Sequence, residues 1–285
     1  METRTSNALS RELGDALRRA RYRAQLKTNT LLAELGWSAG KLSKLETGTR
    51  NASTDDIARL VGHVRAEPEM YEHIMALAHE EPSGHYVRPH DATMPDSLRI
   101  LILHEQMAKA IWCYETLNIP GLLQTRDYAR GLMVTTNAEQ AVANRMARQK
   151  IFDGRLAPRG HFFVHEAALR RVVSGAQVMY EQMLQLLFRD GVRLIPFDAN
   201  LPGTLNTGFT FMTFRDHFPI TYVEGGSVSL FLDTFETTRE SQRNCNDLAR
   251  VALSEEESRS VFAEWADRYD RLREAEGAPG GEAVA

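Results

Sequence analysis

The sequence has very little cysteine and no long apolar run, and each absence excludes a class of protein. Two cysteines in 285 residues, Cys113 and Cys245, are too few for a disulfide framework or a thiolate metal site. No stretch approaches the roughly 18 consecutive apolar residues that a membrane-spanning helix needs. The first residues, METRTSNALSRELGDALRRAR, lack the apolar segment of a signal peptide and begin an amphipathic helix instead. We therefore expect a cytoplasmic protein that makes no contact with a membrane.

Charge is unevenly distributed along the chain. The net charge is −4, with 34 Lys and Arg against 38 Asp and Glu. Residues 1–66 hold 12 of the basic and 7 of the acidic residues, a balance of +5, which leaves 22 and 31 for the rest, a balance of −9. A basic N-terminal part on an acidic body indicates that only the N-terminal part meets a polyanion. The alternative is an ordinary fluctuation of charge along the chain.

The N-terminal part has the pattern of short helices, with a tight turn between the second and the third. The second helix starts at Thr28 and ends at Gly36, a residue that readily takes a left-handed conformation. The third begins at Ser38, a good N-cap, and Leu42 and Leu45 give it a narrow apolar stripe. Two helices joined in this way fit a helix-turn-helix, whose second helix lies in the DNA major groove.

The outer face of this third helix carries small and basic residues, which suits contact with duplex DNA. Small residues let the helix backbone approach the bases, and its two lysines can reach guanine acceptors or phosphates. The start of the second helix suits a phosphate, and residues just past the recognition helix can clamp the flanking DNA backbone. The predicted DNA-contacting residues are Thr28, Ser38, Ala39, Gly40, Lys41, Ser43, Lys44, Arg50 and Asn51. The alternative is a plain helical bundle with a solvated basic face.

The remainder of the chain combines helical patterns with short strands. Runs of β-branched and aromatic residues bounded by Gly, Pro or Asp are typical of strands. Such runs are HFFVH, VRLIPFD, FTFMTFRD, ITYVEG and SLFLD, and several are close enough in sequence to pair antiparallel. We predict an α+β fold, in which an N-terminal all-α helix-turn-helix bundle is followed by a mixed domain with a small, mainly antiparallel sheet flanked by helices.

A change of composition marks the predicted domain boundary. The stretch EEPSGHYVRPHDATMPD, residues 80–96, has three prolines and no periodicity, which is typical of a linker or surface loop. The last residues, EGAPGGEAVA, are too polar and too rich in glycine to fold. The predicted division is a DNA-binding domain at 1–80, a linker at 81–96, a regulatory or partner-binding domain at 97–273 and a disordered tail at 274–285.

Candidates for catalysis or for metal binding are weak. His161 and His165 are four apart in HFFVHE and share a strand face, but no further ligands stand at a telling spacing, so a half-buried histidine pair is the simpler interpretation. The loop LPGTLNTG lacks the lysine of a phosphate-binding motif and reads as a hairpin connection. Ser174 and Ser227 lie near glycines without the pattern of a nucleophile elbow. We expect no enzymatic activity, no metal and no cofactor.

The segment PGLLQTRDYAR allows two interpretations. Gln124, Arg126 and Tyr128 could present polar groups to a ligand or a partner. The alternative is a helix-capping turn, with Thr125 as the cap and the two preceding leucines in the core. We favour the capping turn.

A resemblance strengthens the helix-turn-helix prediction. KTNTLLAELGWSAGKLSKLETGTRNAS resembles the helix-turn-helix of the Cro/lambda-repressor class, the XRE family, in which a helix, a glycine turn, a serine start and a trailing E-x-G-x-R recur. The resemblance covers about residues 9–66 and implies structural roles for Glu46 and Gly48 at the end of the recognition helix. The matching positions are Leu31, Gly36, Ser38, Leu42, Ser43, Glu46 and Gly48.

The chain departs from that class at positions where its members often carry glutamine. Thr28 stands at the start of the second helix, and Ala39 and Gly40 stand early in the recognition helix. Fewer side chains are then available to read bases. Specificity is therefore expected to rest on Lys41, Lys44 and the shape of the DNA.

The body is similar to a large family of regulators from mycelial, antibiotic-producing bacteria. The segments NIPGLLQTRDYARGLM, HEAALRRVV, VRLIPF, GFTFMTFRD, TYVEGG and ALSEEES recur there in this order, and the resemblance runs from about Ser97 to Asp270. Its members carry the same type of N-terminal helix-turn-helix domain and are described as antitoxin-like transcriptional regulators. Their genes often neighbour small proteins of unknown function, which the resemblance implies as partners.

Two functional hypotheses follow. The first is a sequence-specific transcriptional regulator of double-stranded DNA, expected to be a homodimer because such heads read pseudo-palindromic sites. Its C-terminal domain would serve dimerisation, ligand sensing or partner binding. The second is an antitoxin-like interaction protein whose body binds a small neighbour-encoded protein, DNA binding being autoregulatory.

Overall fold

The structure is a computed structural model, and it describes residues 6–49, 53–90, 96–133 and 137–277. The helices are α1 (Ala8–Arg23), α2 (Thr28–Leu35), α3 (Ala39–Glu46), α4 (Thr54–His63), α5 (Pro68–His79), α6 (Asp96–Met107), α7 (Arg126–Leu132), α8 (Ala138–Gln149), α9 (Glu166–Arg170), α10 (Ala176–Leu187), α11 (Phe235–Val251) and α12 (Glu255–Gly277). The strands are β1 (His85–Pro89), β2 (Ala110–Glu115), β3 (Arg159–His165), β4 (Val192–Ile195), β5 (Phe209–Thr213), β6 (Ile220–Glu224) and β7 (Val228–Leu232). The predicted α+β class is confirmed.

The chain divides into two compact units, and each is made of two separate stretches of sequence. Unit 1 comprises Met1–Met107 and Thr213–Thr238, and unit 2 comprises Ala108–Met212 and Arg239–Ala285. This division differs from the one predicted from the sequence, because the segment 213–238 belongs to the same unit as the N-terminal helices. A pairing between such distant segments leaves no local signal in the sequence.

Helix α1 organises the helical part of unit 1 by packing against α3, α4 and α5. Its small and apolar residues recur at helical spacing, so one face of the helix is buried. The core around that face is nearly closed to solvent, with exposures of at most 3 % at Ala16, Leu17, Leu31, Leu42, Leu45, Ile57, Leu60 and Ile74. The recognition helix α3 therefore shares one core with α1.

The strands of unit 1 pair antiparallel in the order β1-β7-β6. Phe231 of the central strand faces Tyr86 on one side and Tyr222 on the other. Strand β1 lies inside the stretch 81–96 that the sequence indicates to be a linker. The strand was not predicted because prolines in this stretch indicate a loop. Pro89 is nevertheless compatible with β1, because it is the last residue of an edge strand. Residues 91–95 of the same stretch lie outside the described part of the chain.

Unit 2 contains the strand order β5-β2-β3-β4, with both β2–β3 and β3–β4 parallel. Parallel neighbours need crossover connections, and the pairs α7–α8 and α9–α10 supply them. In the sequence, residues 97–111 read as one apolar helix, but the helix ends at Met107 and β2 begins at Ala110. AIWCY is a continuous apolar run, which periodicity alone does not distinguish from a helix. The loop LPGTLNTG was also misread, since β4 and β5 are not neighbours in this order.

The C-terminal helix α12 packs extensively against α10. Its start carries a capping box of the S-x-x-E type, in which Ser254 and Glu257 exchange hydrogen bonds. Its buried face includes Tyr269, whose hydroxyl donates to the carbonyl of Leu169 at 2.6 Å. The helix continues to Gly277, into the predicted tail, and residues 278–285 lie outside the described part. Within the described ranges, no helix combines the length and the apolarity needed to cross a bilayer.

Candidate nucleic-acid interface

The turn between α2 and α3 has the geometry that its residues predict. Gly36 ends α2 in the left-handed conformation, with φ 66°. The Ser38 hydroxyl caps α3 by accepting a hydrogen bond from the backbone N–H of Lys41 at 3.2 Å. Leu42 and Leu45 are each 3 % exposed and form the predicted inner stripe. The helix-turn-helix prediction is confirmed at each of these positions.

An ion pair fixes the C-terminal end of α3 to α1. The Arg21 guanidinium donates from Nε to Oε1 of Glu46 at 2.6 Å and from Nη2 to Oε2 at 2.9 Å. Both side chains are only 9 % exposed. The hydrogen bond with Glu46 raises the pKa of Arg21 above its ordinary value. Glu46 therefore has the structural role that the resemblance implies.

Two glycines allow the backbones of α1 and α3 to touch. A Cβ on Gly14 would lie 2.7 Å from the carbonyl oxygen of Leu45, so only glycine fits there. Gly48 has φ 66°, and a Cβ on it would lie 2.4 Å from the carbonyl oxygen of Ser10. The Ser10 hydroxyl also donates to the Gly48 carbonyl at 2.9 Å. The C-terminal end of the recognition helix is thus held against α1.

The face of α3 that points away from α1 is exposed, and most of its side chains are small. Ser38, Ala39, Gly40, Ser43 and Lys44 are all exposed, so the structure brings these five predicted residues together on one surface. A Cβ on Gly40 would meet nothing closer than the Ser38 hydroxyl, at 4.0 Å. The described residues of the chain give no packing reason for a glycine at this position.

The two lysines of α3 differ in their surroundings. The Lys41 ammonium contacts Asp56 Oδ1 at 2.6 Å and lies 4.4 Å from the centre of the Trp37 ring. The hydrogen bond from Lys41 is the main reason that the pKa of Asp56 lies below its ordinary value. Lys44 is exposed and has no ion-pair partner within the described ranges. No local spacing reveals the contact with Asp56, which lies on the next helix.

The start of α2 adds a second polar surface. Thr28 is exposed, and its hydroxyl accepts a hydrogen bond from Arg21 Nη1 at 3.4 Å. The neighbouring Lys27, Asn29 and Thr30 are exposed as well. They were not among the predicted DNA contacts, although the polar run KTNT at a helix start is a visible signal of such a surface. Arg50 and Asn51, the remaining predicted contacts, lie outside the described residues.

The structure does not gather the candidate ligand residues of unit 2 around a common space. Gln124 is buried, donates to the carbonyl of Ile119 at 2.7 Å and accepts from Arg145 at 2.6 Å. The buried Tyr128 hydroxyl accepts from the backbone N–H of Ile119 at 3.2 Å, whereas Arg126 is exposed.

The same segment has the features of a helix-capping turn. Thr125 accepts from the backbone N–H of Tyr128 and caps α7. Leu122 and Leu123 are buried, as this interpretation predicts.

The histidines of β3 both have contacts of a structural kind. His161 stacks on Trp112 with the ring centres 4.8 Å apart, and His165 caps α9 by accepting from the backbone N–H of Ala167 at 3.1 Å. Burial lowers the pKa of both imidazoles. In the part of the chain that the structure describes, no three His, Cys, Asp or Glu side chains are placed to share a metal ion.

Comparison with known families agrees with the geometry of the N-terminal part. Residues 12–74 match the profile of a helix-turn-helix domain, which supports a DNA-binding regulator. Residues 98–264, more than half of the chain, match a domain of unknown function (DUF5753), and the chain belongs to that family. No curated protein and no solved structure matches the chain.

Proposed function

We propose that the protein is a sequence-specific, DNA-binding transcriptional regulator of the XRE type that inserts the helix from Ser38 to Thr47 into the major groove. The observation that carries this proposal is the anchored helix α3, whose outer face is exposed and carries almost no large side chains. Ala39 and Gly40 let the backbone approach base edges closely. The anchoring by Arg21 and Glu46 fixes the angle at which that face is presented.

Each exposed group has a role in this proposal. Lys44 reaches a guanine or a phosphate, and Ser38 and Ser43 offer hydroxyls to either. The exposed first turn of α2, at Thr28, receives a phosphate on backbone N–H groups. Arg50 and Asn51 contact the flanking backbone. With so few base-reading side chains, DNA shape supplies the remaining specificity.

The assembly is proposed to be a homodimer, because helix-turn-helix heads read two half-sites about one helical turn apart. The second domain serves dimerisation, ligand sensing or partner binding. We assign it no enzymatic activity. Both cysteines are buried, and burial raises the pKa of Cys245 to about 12, which makes it unfit as a thiolate nucleophile.

The test is fluorescence anisotropy with DNA from the upstream region of the gene itself and with a scrambled duplex, across a salt series. Tight, salt-dependent binding that is lost on the scrambled duplex is expected. Lys41→Ala and Lys44→Ala should each weaken binding to the specific duplex. Lys150→Ala, which removes an exposed lysine of unit 2, is the matched control. Unchanged affinity in both variants of α3 would contradict the assigned interface.

A second candidate function is the antitoxin-like one, in which the body captures a small neighbour-encoded protein. It is favoured by large apolar side chains on the surface of unit 2, where Leu156 and Phe188 are each 81 % exposed and Phe197 is 62 % exposed. Co-purification with the neighbouring gene product tests this candidate. Recovery of the homodimer alone, with both genes expressed, would count against it.

A further inference from the structure

The contact between Lys41 and Asp56 ties the recognition helix to the first turn of α4. Asp56 is held in place because its backbone N–H donates to the Ser53 hydroxyl at 3.1 Å, which caps α4. The ammonium and carboxylate groups then meet at 2.6 Å, with side-chain exposures of 28 % and 22 %. Each partner is thus positioned by its own helix, and the pair bridges two helices.

Other groups around the pair also hold the ammonium in the protein. The Trp37 ring lies 4.4 Å from it and is 8 % exposed, a geometry in which a ring face attracts a cation. Arg59 lies near enough to Asp56 to lower the pKa of its carboxyl further. Asp56 is therefore ionised at neutral pH, and the charge of Lys41 is neutralised within the protein.

Asp56 consequently places a negative charge beside the proposed DNA surface. A carboxylate there repels phosphates and competes with them for Lys41. A regulator selected only for tight DNA binding gains nothing from this arrangement. A regulator that must discriminate gains from it, because sequence-independent affinity comes mainly from cations that neutralise phosphates.

We propose that Asp56 is a specificity-determining residue that restrains Lys41 in complexes with non-specific DNA, a role that rests on the proposed DNA-binding function. In a non-specific complex the protein meets mainly phosphates, and Lys41 stays with Asp56. In the specific complex the helix enters the groove, and a base acceptor at the right position replaces the carboxylate. Lys44 acts as the sequence-independent cation of α3, and Lys41 acts as the selective one.

The test compares Asp56→Asn with Asp55→Asn on a scrambled duplex across a salt series. Asp55 is an exposed neighbour in the same first turn, and it has no ion pair with Lys41, so its variant controls for the loss of one negative charge. Released Lys41 should neutralise one more phosphate and steepen the salt dependence by about 0.9, which raises affinity by about eightfold near 0.1 M salt. Asp55→Asn should leave the slope unchanged. The ratio of specific to scrambled affinity should fall in Asp56→Asn alone.

Lys41→Ala, made in both backgrounds, tests the same restraint from the other partner. In the wild type it should leave the salt slope on the scrambled duplex unchanged, because the restrained Lys41 neutralises no phosphate there, while weakening binding to the specific duplex. In the Asp56→Asn background it should abolish the gain on scrambled DNA. The arm in the wild-type background keeps the proposal testable if Asp56→Asn folds poorly, which thermal melting by circular dichroism reveals.

The outcomes separate this inference from the function on which it rests. Equal slopes for Asp56→Asn and Asp55→Asn overturn the restraint while leaving DNA binding intact. So does a decrease in the salt slope on scrambled DNA in Lys41→Ala as large as that in Lys44→Ala. A folded wild type that binds neither duplex overturns the proposed function and the restraint together.

Discussion

Asp233 accepts a hydrogen bond from the backbone N–H of Ala8 at 2.6 Å, although the two residues are 225 positions apart. The contact joins the first turn of α1 to the segment that follows β7. Close by, the buried Arg11 donates to the carbonyl of Phe218 at 3.4 Å and lies 4.6 Å from the ring centre of Phe214. Segment 213–238 is therefore part of the structural unit that carries the recognition helix.

Removing the Asp233 carboxylate should destabilise unit 1. Asp233→Ala leaves the N–H of Ala8 buried without a partner, which costs about 1–3 kcal/mol in the free energy of unfolding. Urea denaturation followed by circular dichroism measures the loss. Asp216→Ala removes an exposed aspartate of the same segment and should change the free energy by less than about 0.5 kcal/mol. Equal effects of the two variants would contradict the assigned contact.

The same carboxyl should make stability depend on pH in a defined direction. Burial is the main cause that raises the pKa of Asp233, against the opposing hydrogen bond from Ala8. Because the folded pKa lies above the unfolded one, this group's contribution is fully present below the unfolded pKa and is lost as pH rises through the folded one. Asp233→Asn cannot titrate in this way.

Paired urea titrations of the wild type and Asp233→Asn check this sign. The stability of the wild type relative to the variant should be greater at a pH below the ordinary aspartate pKa than at neutral pH. A difference that stays constant across this range would show that Asp233 has the same pKa in both states.

Breaking the ion pair behind the recognition helix should affect both folding and DNA binding. Arg21→Met leaves the Glu46 carboxylate without its partner in a site that is 9 % exposed, and such losses cost about 3–5 kcal/mol. The double variant Arg21→Met with Glu46→Leu should recover most of this loss, because neither charge remains buried. DNA affinity should fall in the single variant, since α3 loses its anchor to α1.

Arg18→Met is the matched control for this pair. Arg18 contacts Asp15 in a more exposed ion pair, with side-chain exposures of 39 % and 20 %, and such pairs contribute at most about 1 kcal/mol. Thermal unfolding and anisotropy on the same samples give both readouts. A double variant as unstable as Arg21→Met would mean that the pair is not the source of the effect.

The elements that the sequence predicts correctly are those specified by adjacent residues. Gly36, Ser38 and Leu42 define the turn, the cap and the inner face of α3 within a few positions, and the structure places all three as expected. The Ser254 capping box is equally local. Each of these signals is a conformational preference of the chain itself.

The elements that sequence reasoning missed depend on partners far along the chain. Strand β2 reads as a helix because residues on both of its faces are buried, so its sequence is a continuous apolar run without the alternation of a half-exposed strand. The pairing of Lys41 with Asp56 depends on how α4 folds back on α3, and the contact of Ala8 with Asp233 depends on the whole chain. Periodicity and capping carry no information about such contacts.

A methyl group on Gly40 should separate the stability of the helix from its function. Glycine inside a helix costs up to about 1 kcal/mol relative to alanine, and a Cβ at Gly40 meets no described atom closer than 4.0 Å. Gly40→Ala should therefore raise the free energy of unfolding by about 0.5–1 kcal/mol. Gly62→Ala, at an exposed position of α4 where a Cβ meets nothing within 4 Å, should stabilise by a similar amount.

The two variants should differ on DNA, because only Gly40 lies on the face proposed to meet the bases. A methyl group forced into that packed contact should weaken binding by about 1–3 kcal/mol, even though the free protein becomes more stable. Gly62→Ala should bind the specific duplex as the wild type does. Anisotropy and urea denaturation on both variants give the four values needed. If Gly40→Ala gains stability and keeps full affinity, the backbone of α3 does not approach the bases. The interface must then be assigned to another surface of the N-terminal helical part.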